Sequence, residues 1–101
     1  MYFAIYAIDK PDQRPARDRL RGAHRRFVRS QTEFPVTVHV AGPLFADDGT
    51  TMVGSLMLVE AADLETVRHF VAKIPYLAAQ LFERVEIRPY GWSLHPPSGK
   101  K

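Results

Sequence analysis

The chain has 101 residues and no cysteine, which supports one domain and excludes disulfides, thiolate chemistry and cysteine-type zinc sites. Its content of 46% hydrophobic and 25% charged residues is that of a globular domain. No apolar run approaches the roughly 18 to 20 residues of a membrane span, and the apolar opening lacks the basic segment of a signal peptide. The expectation is a cytoplasmic protein with no membrane partner. The formal charge of +3 is unevenly placed, because seven of the 14 Lys and Arg residues fall between Arg14 and Arg29. A basic helix can face phosphates. With no recognition motif beside it, and with Asp18 nearby, the stretch reads as a solvated outer face and no nucleic-acid partner is expected.

In chain order, residues 2–8 are almost wholly apolar and end at Asp9-Lys10-Pro11, which predicts a strand buried on both faces. A polar connection leads to Ala16. From there to Ser30, Leu20, Ala23, Phe27 and Val28 mark one face of a helix. Val36, Val38 and Val40 alternate with Thr37 and His39 as in a two-faced strand, which Gly42-Pro43 is expected to end. Asp47-Asp48-Gly49 is a turn signal inside an extended hairpin loop. A strand follows from Met52 to Val59. Asp63 predicts the N-cap of a helix with Leu64, Val67, Phe70 and Val71 inward. Pro75 disfavours helix at Ile74 and can open a short helix running through Leu81 and Phe82. Arg84 to Arg88 alternates as a last strand. The domain is expected to span residues 1–92, and 93–101 to form a flexible tail.

The order β-α-β-β-α-β is the ferredoxin-like α+β pattern, with a four-stranded antiparallel sheet. Two helices cover one face of such a sheet. The other face would expose alternate side chains of apolar strands, and a second copy of the chain is the economical cover, giving a homodimer.

These residues resemble the YciI-like (YCII-related) family over nearly the whole chain. The resemblance rests on Met1-Tyr2-Phe3-Ala4-Ile5-Tyr6, Arg21-x-x-His24, Ala41-Gly42-Pro43-Leu44, Asp48-Gly49, Gly54-Ser55, Pro75-Tyr76-x-x-Ala79 and Ile87-Arg88-Pro89-Tyr90. It implies a dimeric α+β barrel in which two sheets face each other and each protomer has a pocket. One branch of the family is similar to a lyase that removes chloride from a chlorinated aromatic diol, with a His-Asp pair as the catalytic unit.

His24 matches the family histidine, and its spacing from Leu20 and Val28 also singles it out on the apolar helix face. It reads either as a core histidine satisfied by a carbonyl or Ser55, or as a general base at a pocket wall. The resemblance implies Asp before Pro75-Tyr76, where this chain has Ile74, and Gly where it has Gln80. Ile cannot cap the following helical turn, and Gln enters a left-handed turn less readily than Gly. Ser55 is either a small packing residue or a hydroxyl donor to His24 or a ligand. Phe45 and Tyr76 read as core or pocket wall. His39 could line the open sheet face, His69 the surface and His95 the tail, with no spacing that suggests a metal site. The expected ligand contacts are thus Ser55, Ile74, Tyr76, Phe45 and His39, around a catalytic His24. Two function classes stay open. One is a cofactor-free lyase or isomerase acting on a small molecule through His24. The other is a non-catalytic ligand-binding or accessory protein using the same pocket.

Overall fold

A computed structural model describes residues 1–97; the end of the expected tail, 98–101, lies outside the described residues. The elements are β1 (Tyr2–Asp9), α1 (Arg14–Ser30), β2 (Thr37–Phe45), β3 (Met52–Glu60), α2 (Leu64–Ala72), α3 (Pro75–Ala78) and β4 (Phe82–Tyr90). The strands form one antiparallel sheet in the order β2-β3-β1-β4, which is the ferredoxin-like arrangement. Among the described residues no helix is long and apolar enough to cross a membrane.

Strand alternation divides the sheet into two unlike faces. Phe3, Ile5 and Ala7 of β1 stand in register with Val59, Met57 and Ser55 of β3, and all six are buried. With Val67, Phe70 and Val71 of α2, and with Ile74, Tyr76 and Leu81, they make the core. Each large apolar side chain contributes about 1.5–3 kcal/mol by burial. The alternate residues form the second face, where Tyr2, Ala4, Leu56 and Leu58 are partly buried and Tyr6 and Val40 are 39% and 43% exposed. β1 is therefore buried on one face and not on both.

Three boundaries differ from the sequence reading. The first helix begins at Arg14, because Pro15 is tolerated in a first turn whose N–H groups lack helical partners anyway. β2 continues through Gly42-Pro43 to Phe45. It is an edge strand, and proline is accommodated at an edge. Its register with β3 shifts between Val38 and Val40 and again between Leu44 and Phe45. The hairpin loop is correspondingly short. In it the Asp48 carboxylate accepts from Thr50 N and Thr51 N (2.8 and 2.9 Å) and from Thr51 Oγ1, and Gly49 takes φ 75°. Third, α3 stops at Ala78, and Phe82 opens β4, the other edge strand, which carries Pro89. Gln80 adopts φ 60°. Its N–H donates to Leu77 O (2.9 Å) and the Leu81 N–H donates to Tyr76 O (3.0 Å). These two bonds make a Schellman ending, with Gln at the position that favours Gly.

Candidate functional site

Between α1 and β2, on the helix side of the sheet, lies an open cleft of about 750 Å³, within the range of small-molecule sites. Its outer wall is β2. That strand is held in place partly by Gln31, which ends α1: its side-chain NH₂ donates to Phe34 O and Val36 O, and its Oε1 accepts from Phe34 N. The inner wall is α1, and its floor is reached by Ser55, Met57 and Tyr76.

At one end of the cleft sits a polar cluster the sequence reading missed. Arg17 is 3% exposed. Its Nε and Nη2 donate to Asp9 Oδ2 (2.8 Å) and Oδ1 (3.1 Å) as a fork. Nη2 also donates to Gly54 O (2.8 Å) and Ser55 Oγ (3.0 Å). The guanidinium carbon lies 4.7 Å from the centre of the Tyr76 ring, and Tyr76 OH donates to Arg17 O at 3.5 Å. A buried charge is tolerated only with such complete pairing. Gly54 is part of the device, because a Cβ there would lie 2.2 Å from Ala7 O. The signal available in the sequence was Arg17 standing three residues before Leu20 and seven before His24, on the apolar helix face. The solvated-face reading of the basic stretch therefore fails at Arg17. Farther along, Arg21, Arg25 and Arg29 line the cleft while remaining open to water.

His24 lies in the middle of the cleft wall. Its ring stacks on Tyr76 with centroids 3.9 Å apart and planes inclined by 11°. Its Nδ1 is buried with no hydrogen-bond partner. The expected satisfaction by Ser55 is not present; the Ser55 hydroxyl oxygen instead accepts from Arg17 Nη2. Burial, followed by the charges of Arg17 and Arg25, lowers the His24 pKa to about 4, so the imidazole is neutral at pH 7.

The cleft thus brings together His24, Ser55, Tyr76 and the His39 position. It does not bring in Ile74 or Phe45. Ile74 is 1% exposed, packed in the core at the start of α3 without capping its N–H groups. Phe45 is 45% exposed at the far end of β2. The His39 ring is committed to the other face of the sheet. Its Nε2 lies 2.9 Å from Glu60 Oε1, and the ring meets Tyr2 and Trp92 edge-on. Among the described residues no cluster of His, Cys, Asp or Glu could hold a metal ion.

Fold and cleft together define an α+β protein with an open cleft between its first helix and an edge strand. The YCII-related domain family matches residues 1–91, and the chain belongs to that family. It is 31% identical over 96 residues to protein YciI of Escherichia coli O6:H1 and, to the same degree, of Shigella flexneri, covering 89% of this chain and 96% of each relative. Among solved structures it is similar to 5-chloro-2-hydroxyhydroquinone dehydrochlorinase of Burkholderia phenoliruptrix in complex with 2,5-dihydroxybenzoquinone. The TM-score is 0.78 at 26% identity, over 94% of this chain and 98% of that one. A protein of Agrobacterium tumefaciens shares the fold, with a TM-score of 0.54 at 16% identity, over 96% of this chain and 98% of that one.

Proposed function

We propose that the cleft binds a planar, oxygenated ring compound and that the chain holds this ligand without transforming it. The observation that supports this is the state of His24. It faces the cleft between guanidiniums, and among the described residues no carboxylate lines the cleft beside it. A base with a pKa of about 4 is available at pH 7 but keeps a proton poorly, and general-base catalysis works best when the pKa lies near the working pH. The ring class follows from the likeness to the Burkholderia enzyme and its bound quinone. His24 and Tyr76 are the proposed ligand contacts, with Ser55 fixing Arg17 behind them. No cofactor enters this reading, and its setting is the cytoplasm. The working unit is proposed to be residues 1–92, because the Trp92 ring packs on Tyr2, His39 and Tyr90. Two such units pair through the face that carries Tyr6 and Val40, a homodimer that light scattering at micromolar concentration would detect and that a stable, soluble monomer would rule out.

A second reading is a cofactor-free lyase using His24, favoured by the same structural likeness to a dehydrochlorinase. The two separate cleanly. Titration calorimetry with 2,5-dihydroxybenzoquinone should show binding that His24→Ala weakens. Incubation with 5-chloro-2-hydroxyhydroquinone should release no chloride above the protein-free rate. Chloride release that depends on His24 would replace the binding reading with the catalytic one. Absence of any binding would remove both.

A further inference from the structure

One wall of the cleft carries positive charge that the protein itself does not neutralise. Arg17, Arg21, Arg25 and Arg29 follow at four-residue intervals along α1, and each lines the cleft. Arg17 is paired with Asp9 and Arg21 with Asp18. Arg25 and Arg29 have no carboxylate partner among the described residues, and no Asp or Glu among those residues lines the cleft. Like charges four apart on a helix disfavour it, so the row is an arrangement that an anion would relieve. The rest of the cleft includes an apolar surface, with Val28 on the same helix and Val36, Val38 and Met57 across from it. Between the two stands His24, whose buried Nδ1 lacks a partner.

An anionic head and an apolar body are therefore wanted at once. We infer that the cleft takes a small organic acid, its carboxylate held by the Arg25 and Arg29 guanidiniums and its ring set against Val28, Val38 and Met57 beside His24. This rests on the small-molecule reading above and narrows its ligand to a ring bearing a carboxylate. Guanidinium forks match a carboxylate geometrically, and the cleft volume suits one small molecule and not a polymer strand.

The groups facing His24 are Arg17, Arg21 and Arg25 on its own helix, Tyr76 from α3, Ser55 from β3 and the His39 position on β2. A bound carboxylate would be the first negative charge among them, and it would favour the imidazolium form. The test compares 2,5-dihydroxybenzoate with hydroquinone, the same ring without the charge, by titration calorimetry on the full chain. The acid should bind about tenfold or more tightly. The R25Q/R29Q double variant, checked for folding by circular dichroism, should abolish that preference and leave hydroquinone binding unchanged. The His24 pKa followed by NMR should rise by about one unit or more with the acid bound, and stay in place with hydroquinone. Equal binding of the two compounds, or a preference that survives the double variant, overturns the organic-acid assignment while the small-molecule reading stands. Inorganic phosphate competing as well as the acid overturns the role of the apolar wall. Failure of both rings to bind overturns the small-molecule reading with it.

Discussion

Arg17 and His24 stand seven residues apart on the same side of α1, both touch Tyr76, and they are treated in opposite ways. Arg17 is fully enclosed, with an acid, a carbonyl and a hydroxyl around its guanidinium. His24 is only partly enclosed, and its buried nitrogen has nothing. Burial of a polar group costs free energy unless hydrogen bonds replace those lost to water. A polar group whose bonds are all made inside the protein belongs to the frame. His24 lines an open cleft, so its ring, although not the enclosed Nδ1, can meet a molecule from solution.

The first way to break the comparison is to remove the satisfied member. Arg17→Met leaves the Asp9 carboxylate, 7% exposed, without its partner, and should cost about 3–5 kcal/mol in urea unfolding. That is a large share of the stability of a domain this small. Adding Asp9→Leu should return most of it, since apolar replacement of both members of a buried pair is often neutral. No recovery would mean that the pair directs the fold in some further way.

The second is to offer the histidine the partner the arginine already has. Ile74→Asp puts a carboxylate where Ile74 is 1% exposed. The unfolding free energy should fall by about 2 kcal/mol or more, because burying the acid outweighs the cap it adds. If position 74 neighbours the imidazole, the His24 pKa rises in the same protein. An unchanged value would separate the two positions.

A gentler change sharpens the contrast through pH. The folded pKa of His24 is lowered from 6.5 to about 4, so between these values the unfolded chain takes up a proton that the native one refuses. Stability is therefore highest above pH 6.5, declines as pH falls towards 4, and has no further contribution from this group below that. His24→Phe keeps an aromatic ring against Tyr76 and should flatten the decline. With allowance for partial exposure, the gain at pH 5 relative to pH 7 is on the order of 1 kcal/mol. Parallel pH profiles for the two proteins would contradict it. The smallest effect concerns Tyr76, the ring that both side chains share. Gln80→Gly relieves a left-handed residue at the end of α3 and should raise the unfolding free energy by about 0.5–1 kcal/mol, read as a higher midpoint with an unchanged denaturant slope.

Much of this architecture was legible in the order of residues, and the reasons are local. The step from Val36 to Val38 and the helical spacing of Leu64, Val67, Phe70 and Val71 each depend on one element's own geometry. So does the cap at Asp63, whose carboxylate accepts from Thr66 N at 2.9 Å. The expected alternation breaks at Val40, which the register shift after Val38 turns to the other face of the sheet. Gln80 stood out only against the Gly that the family resemblance implies, and it does take the left-handed φ of 60° that favours Gly. What was not legible depends on neighbours distant in the chain. Gly42-Pro43 reads as a strand end until β2 is known to lie at the sheet edge. Arg17 reads as one more surface arginine until β1 and β3 bring Asp9, Gly54 and Ser55 around it. Phe45 and Ile74 have similar apolar character, yet one ends exposed at a strand terminus and the other inside the core.

The edges of the sheet also govern how copies of the chain can meet. β2 carries Pro43 and two register shifts, and β4 carries Pro89 among Glu83, Arg84, Glu86 and Arg88. Prolines offer no N–H, and irregular or charged edges resist the addition of a strand. Edge-to-edge polymerisation is thus resisted at both sides, and what remains for pairing is the mixed sheet face, where Tyr6, Val40, Leu56 and Leu58 stand among Glu86, Arg88 and the His39–Glu60 pair. In the proposed pairing, two such faces cover each other and leave no equivalent face to recruit a third copy, so association of that kind is self-limiting. A concentrated solution should stop at a defined particle size instead of maturing into fibres.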